Sequence, residues 1–168
     1  MRKIDEIIVH CTATRREWME GRTARDKAAE IDRWHRARGW RMIGYHAIID
    51  RDGTVMKGRG DAEQGAHVAG RNAYSLGVSL VGGHGSSATD EFEDHFTASQ
   101  NTALRNYIRD KKAQYCIEKI SGHNEHSAKA CPGFNVAKWL ARQPKPVAPR
   151  LTFWDRLFAA LKRQRPSR

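Results

Sequence analysis

The chain has 168 residues, 39% hydrophobic and 29% charged, which suits one globular domain with a modest tail and argues against wholesale disorder. Its longest apolar runs, such as "IIV" and "AII", are far too short to cross a bilayer, and "MRKIDEIIVH" lacks the apolar core and small-residue cleavage site of a signal peptide. Three cysteines, Cys11, Cys116 and Cys131, cannot all pair with one another, so a disulfide-stapled scaffold is not expected.

In chain order, "IDEIIVH" (4–10) reads as a buried strand ending on His10. Thr23 with Asp26 forms a capping-box pattern for a helix running to Arg38, with Gly39 as its stop. "MIGYHAIID" (42–50) reads as a strand, "RDGT" as a turn and "VMKG" as the returning strand of a hairpin. Strand alternation would put Tyr45 and His46 on opposite faces, leaving His46 to packing. "SLGVSLVGG" (75–83) reads as a further apolar strand, and "GHGSSATDEFEDH" as a polar loop. Thr97 and Gln100 repeat the capping-box pattern ahead of a helix with Leu104, Tyr107, Ile108 and Tyr115 on one face. A short strand near Ile117–Ser121 follows, and Asn135 caps a last helix whose Val136, Trp139 and Leu140 share a face. The alternation of strands and helices predicts an α/β fold, a single domain (1–141) with a central mixed β-sheet flanked by helices.

The C-terminal segment differs in composition. "RQPKPVAPR" (142–150) reads as a proline-rich linker. In 151–168, Leu151, Trp154, Leu157, Phe158 and Leu161 recur at helical spacing, with Lys162 and Arg163 among the adjoining charges. A helix of about 13 residues spans only about 20 Å, too short to cross a bilayer, and fits an amphipathic basic helix lying in an interface. The alternative is a helix docked on the domain. The whole chain carries a formal charge of +11, of which residues 142–168 supply +7, from eight Lys/Arg and one Asp. A basic tail points to an anionic surface: membrane, lipopolysaccharide, wall polymer or nucleic acid.

The chemistry concentrates in "SGHNEHSAKACPGF" (121–134), with two histidines, an acid, a lysine and a cysteine. Imidazole and thiolate are the ligands zinc prefers, and a catalytic site leaves one position open. Neither paired CxxC motifs nor HExxH occurs here. On local chemistry a metal hydrolase ranks first, a cysteine nucleophile with a histidine base second and an inert loop third.

Four ordered blocks decide among these: "IIVHCTAT", "RGWRMIGYHAIIDRDGTV", "GAHVAGRNAYSLGVSLVGG" and "SGHNEHSAKACPGF". Together they resemble the zinc-dependent N-acetylmuramoyl-L-alanine amidases of the type 2 amidase and peptidoglycan-recognition-protein superfamily, and among them the phage endolysins. The resemblance covers about residues 4–141. It implies one Zn²⁺ held by His10, His123 and Cys131, with Tyr45 and Lys129 as catalytic partners. No catalytic position is replaced. Two imidazoles and a thiolate would leave a zinc site of net charge +1 with an open position. Lys129 is suited to stabilising an oxyanion, and Tyr45 to orienting or deprotonating water or to bonding the oxyanion. His126 rivals His123 but falls outside the family pattern. His67 and, more weakly, Asn72 are expected to touch substrate. His35 is expected at the surface or in packing, Cys11 pointing away from the metal, and Cys116 buried.

The implied activity is hydrolysis of the amide between N-acetylmuramic acid and L-alanine in bacterial peptidoglycan, by a phage or prophage lysis enzyme. It would be made in the host cytoplasm without a signal peptide and reach the periplasmic wall after membrane breach. The tail, with Trp154, Leu157, Phe158, Leu161, Lys162 and Arg163, would engage anionic membrane or lipopolysaccharide. A monomer with no specific nucleic-acid partner is expected. The alternatives are a cytosolic muropeptide-recycling amidase, or an amidase that also binds and regulates a polymerase.

Overall fold

The computed structural model describes residues 2–142. The linker beyond Arg142 and the tail of 151–168 lie outside the described residues. Five strands, β1 (Glu6–Cys11), β2 (Ala47–Ile49), β3 (Val55–Lys57), β4 (Ser75–Leu80) and β5 (Lys119–Gly122), form one sheet in the order β3-β2-β4-β1-β5. β1 runs parallel to β4 and β5, β2 runs parallel to β4, and β3 is antiparallel to β2. This is the mixed α/β sheet that the alternation of elements predicts.

The two central strands differ sharply between their faces. Ile7, Val9 and Cys11 of β1 and Leu76, Val78 and Leu80 of β4 point into one large apolar core. Phe92, Phe96, Leu104, Ile108, Phe134, Val136 and Trp139 fill its other side. These come from the helices α2 (Phe92–His95), α3 (Ala98–Gln114) and α4 (Val136–Ala141) and from the segments beside them. The alternate positions carry Glu6, Ile8 and His10 on β1 and Ser75, Gly77 and Ser79 on β4, in register. A smaller cluster of Ile31, Ile43, Ile48 and Val81 lies under α1 (Ala24–Ala37). The sheet is therefore sealed by bulk on one face, while on the other β1 and β4 present small and polar groups around Ile8.

The helices begin where local chemistry dictates. The Thr23 hydroxyl accepts from the Asp26 amide, and Asp26 accepts from the Thr23 amide in return. Thr97 and Gln100 make the same exchange at α3, and Asn135 caps α4 through the Lys138 amide. Each such cap contributes about 1 kcal/mol. Gln100 also reaches the sheet: its Nε2 donates to the carbonyls of Ile49 and Val81, which bolts α3 to β2 and to the end of β4. On the opposite side, Lys27 of α1 pairs with Asp50 at 2.8 Å, both buried.

Three expectations are corrected. The strand expected over 42–50 is paired as strand only at Ala47–Ile49. Upstream, side chains take the backbone groups that a ladder would use. Asp32 accepts from the Ile43 amide, His35 Nδ1 from the Gly44 amide, and Arg59 donates to the carbonyls of Ile43 and Met42. Gly44 permits this detour, because a Cβ there would stand 2.2 Å from the Ala66 carbonyl oxygen. The loop after β4 contains the four-residue α2, because Phe92 and Phe96 are drawn into the core. Cys116 is exposed, not buried, because it follows the end of α3 in the connection that leaves the core for β5.

Buried neutral imidazoles tie stability to pH. His35 and His46 are both held down at about 4, chiefly by burial. Each uses a bare Nδ1 to accept a backbone amide, from Gly44 and Gly77 respectively. The unfolded chain therefore binds more protons between the ordinary histidine value of 6.5 and about 4. Their contribution is complete above pH 6.5 and is lost as pH falls through 4. The urea midpoint should drop across that window, before most carboxylates titrate. A flat profile there would contradict the buried, neutral assignment.

Candidate metal centre

β1 ends at Cys11 and β5 at Gly122, and the parallel register sets Val9 against Gly122. The next residues, His10 and His123, thus emerge side by side at the carboxyl edge of the sheet, with ring centroids 4.7 Å apart. His123 opens a short 3-10 turn, His123–Glu125. The chain then returns to place Cys131 Sγ 3.8 Å from His10 Nδ1. One donor atom from each of His10, His123 and Cys131 lies within 4.8 Å of the others, a group able to hold a metal ion.

The electrostatics suit a cation. Burial, followed by His67 and His123, lowers His10 well below the ordinary histidine value. Burial and then the Lys129 charge lower His123. Both rings are therefore neutral at pH 7 and carry a free lone pair, as metal ligation requires. The neighbouring Cys11 thiol and burial raise Cys131 above its ordinary value, so a thiolate there calls for a positive partner. The Cys11 backbone N–H, 3.2 Å from Cys131 Sγ, already donates to that sulfur. Cys11's own side chain is buried in the apolar core. Two nitrogen donors and one sulfur form a set that fits zinc.

Tyr45 packs its ring 5.1 Å from that of His10, and burial raises its phenol above the ordinary tyrosine value. His46 turns instead to the Gly77 amide and the Glu63 carbonyl. Lys129 is exposed on the loop two residues before Cys131. His67 is 9% exposed, with Nδ1 3.1 Å from His10 Nε2 and Nε2 3.4 Å from Ser75 Oγ. Both of its ring nitrogens are thus engaged inside the protein. Asn72 accepts from the amides of His67 and Val68 and so closes the loop that carries His67.

His126 is drawn elsewhere. Its Nε2 is 2.9 Å from Ser121 Oγ and 3.1 Å from Glu6 Oε1, while Ser121 donates to Glu6 at 2.7 Å. Glu6 is 2% exposed, with Arg71 and Lys119 at 3.6 and 3.8 Å. This buried cluster is absent from the sequence reading. A signal for it existed: Glu6 interrupts an apolar strand on the same alternation as His10.

The profile of the N-acetylmuramoyl-L-alanine amidase family matches residues 1–134. The chain belongs to this family. The amidase is 41% identical over 134 residues to an endolysin of Klebsiella phage KP32, covering 80% of this chain and 83% of that one. Among solved structures it is similar to an endolysin amidase, LysCS, from Clostridium intestinale URNW, with a TM-score of 0.67 and 27% identity over 83% of each chain. It is also similar to bumblebee PGRP-SA, with a TM-score of 0.68 and 26% identity over 87% of each chain. The fold is thus shared by an endolysin amidase and a PGRP.

The geometry makes one expectation for the amidase specific. If His10, His123 and Cys131 hold a zinc ion, replacing His126 with Ala should leave zinc content stoichiometric by elemental analysis while lowering the melting temperature, because the loop loses its tie to Glu6. Loss of the metal with no fall in melting temperature would instead place His126 among the ligands.

Proposed function

We propose that this amidase hydrolyses the amide between N-acetylmuramic acid and L-alanine in peptidoglycan, using one zinc ion held by His10, His123 and Cys131. The observation that carries the reading is the convergence of those three donors within 4.8 Å, from three separate stretches of chain. When bound, zinc supplies Lewis acidity, which makes water a nucleophile near neutral pH and polarises a carbonyl.

The chain's own residues do the rest. His10 and His123 present neutral imidazoles, and Cys131 a thiolate that receives the Cys11 N–H. Tyr45, whose phenol burial keeps protonated, serves as a hydrogen-bond donor beside His10, to the attacking water or to the developing oxyanion. Lys129 lies close enough for its charge to depress both ligand histidines, and that charge favours an oxyanion formed in the same space. Its exposure allows it to approach a bound substrate.

The endolysin relatives support a role in phage or prophage lysis. In this reading the enzyme is made in the host cytoplasm and meets the periplasmic wall once the inner membrane is breached. The basic segment 151–168, with Trp154, Leu157, Phe158 and Leu161 beside Lys162 and Arg163, engages anionic membrane or lipopolysaccharide.

Mass spectrometry of digested peptidoglycan should show new L-alanine amino termini and no new reducing sugars. Cys131→Ala and His10→Ala should lose zinc and activity together. Lys129→Ala should keep zinc and lose about 10²–10³ in kcat, the usual cost of removing one oxyanion partner. Full zinc and full activity in Cys131→Ala would sink the proposal. Deleting 143–168 should weaken killing of intact cells and leave hydrolysis of purified peptidoglycan unchanged. Equal loss of both would make the tail part of the fold.

A further inference from the structure

We infer that His67 is a positioning residue for the metal centre, fixing through a three-link hydrogen-bond relay which nitrogen of His10 faces the metal. The inference rests on the zinc reading of His10, His123 and Cys131.

The proton positions follow from one fixed acceptor. The Arg71 carbonyl can only accept, so the Ser75 hydroxyl, 2.8 Å away, donates its single proton to it. Ser75 Oγ is then left to accept from His67 Nε2, at 3.4 Å, so the His67 proton sits on Nε2. His67 Nδ1 is consequently bare and accepts from His10 Nε2 at 3.1 Å. That leaves the His10 lone pair on Nδ1, the nitrogen 3.8 Å from Cys131 Sγ. Each link admits one direction, and the sequence of links ends on the ligand atom that faces the donor cluster.

The site for the ring is built into the backbone. Gly77, opposite Ile8 on β4, would place a Cβ 2.6 Å from His67 Cγ, and Gly65 would place one 2.5 Å from Cδ2. Any side chain at either position would displace the imidazole. Asn72 Oδ1 holds the backbone beneath it through the His67 amide at 2.8 Å. His67 is thus set by two glycines, an asparagine and a serine, against one ligand. Partners of this kind orient a metal-binding histidine, and their loss typically weakens metal binding 10–100-fold.

The test compares His67→Leu, which removes the acceptor, with His67→Asn, whose Oδ1 stands where Nδ1 stood and can accept from His10. Zinc affinity is measured by competition with a chromophoric chelator, beside the melting temperature of the metal-free proteins. His67→Leu should bind zinc about 10–100-fold more weakly than the parent. His67→Asn should recover most of that loss, even where both variants melt at the same lowered temperature. Parent-like affinity in His67→Leu, or equal weakness in the two variants, would overturn the relay while leaving the zinc site standing. A parent protein that binds no zinc would overturn the zinc reading itself, and the relay with it.

Discussion

The alternation along β1 and β4 is the constraint on which the rest depends. Ile7, Val9, Leu76, Val78 and Leu80 are fully buried on one face, and each such side chain contributes about 1.5–3 kcal/mol on leaving water. With stability concentrated there, the opposite face can carry serine, glycine, glutamate and histidine at buried positions. Buried polar groups are costly without partners. Here most are joined in two local networks, His10–His67–Ser75 and Glu6–Ser121–His126. The small residues of β4 matter as much as the polar ones, because Gly77 opens the space the His67 ring occupies.

Parallel strands then place the chemistry. In open α/β sheets the carboxyl ends of the strands are where ligands gather. Both histidine donors sit at that edge on adjoining strands, one at the end of β1 and one just past β5. The loop from His123 to Cys131 is fastened at its middle, where His126 meets Ser121 and Glu6. The Cys131 sulfur is met by a backbone amide of β1. Rigid strands and a tied loop therefore hold the donors together.

What was legible in the sequence was local or motif-borne. The caps at Thr23, Thr97 and Asn135 read correctly because a cap and its partner lie three residues apart. His10, His123 and Cys131 stand in recognisable blocks, although their proximity is a tertiary fact. The strand over 42–50 misreads because Asp32, His35 and Arg59 satisfy its backbone from elsewhere, which no window on that stretch reveals. His67 illustrates the deeper limit. Its block marks it for the site, but only the fold brings its Nδ1 to His10 and clears Gly65 and Gly77 from its path. Glu6 and Gln100 hide in the same way, as polar residues whose partners lie far along the chain.

The interior place of β1 in the sheet bears on how the chain can be made. Its two neighbours in the sheet are β4 and β5, so this first strand has no ladder partner until residues 75–80 and then 119–122 exist. Contacts between such distant segments carry a loop-closure penalty and form slowly. A ribosome adds about 5–20 residues per second, so an emerging chain spends several seconds with an apolar strand bare on both edges. The third donor atom, at position 131, is synthesised last of the set. The three donors therefore come together only after translation of the domain is nearly finished, so their convergence marks a completed fold.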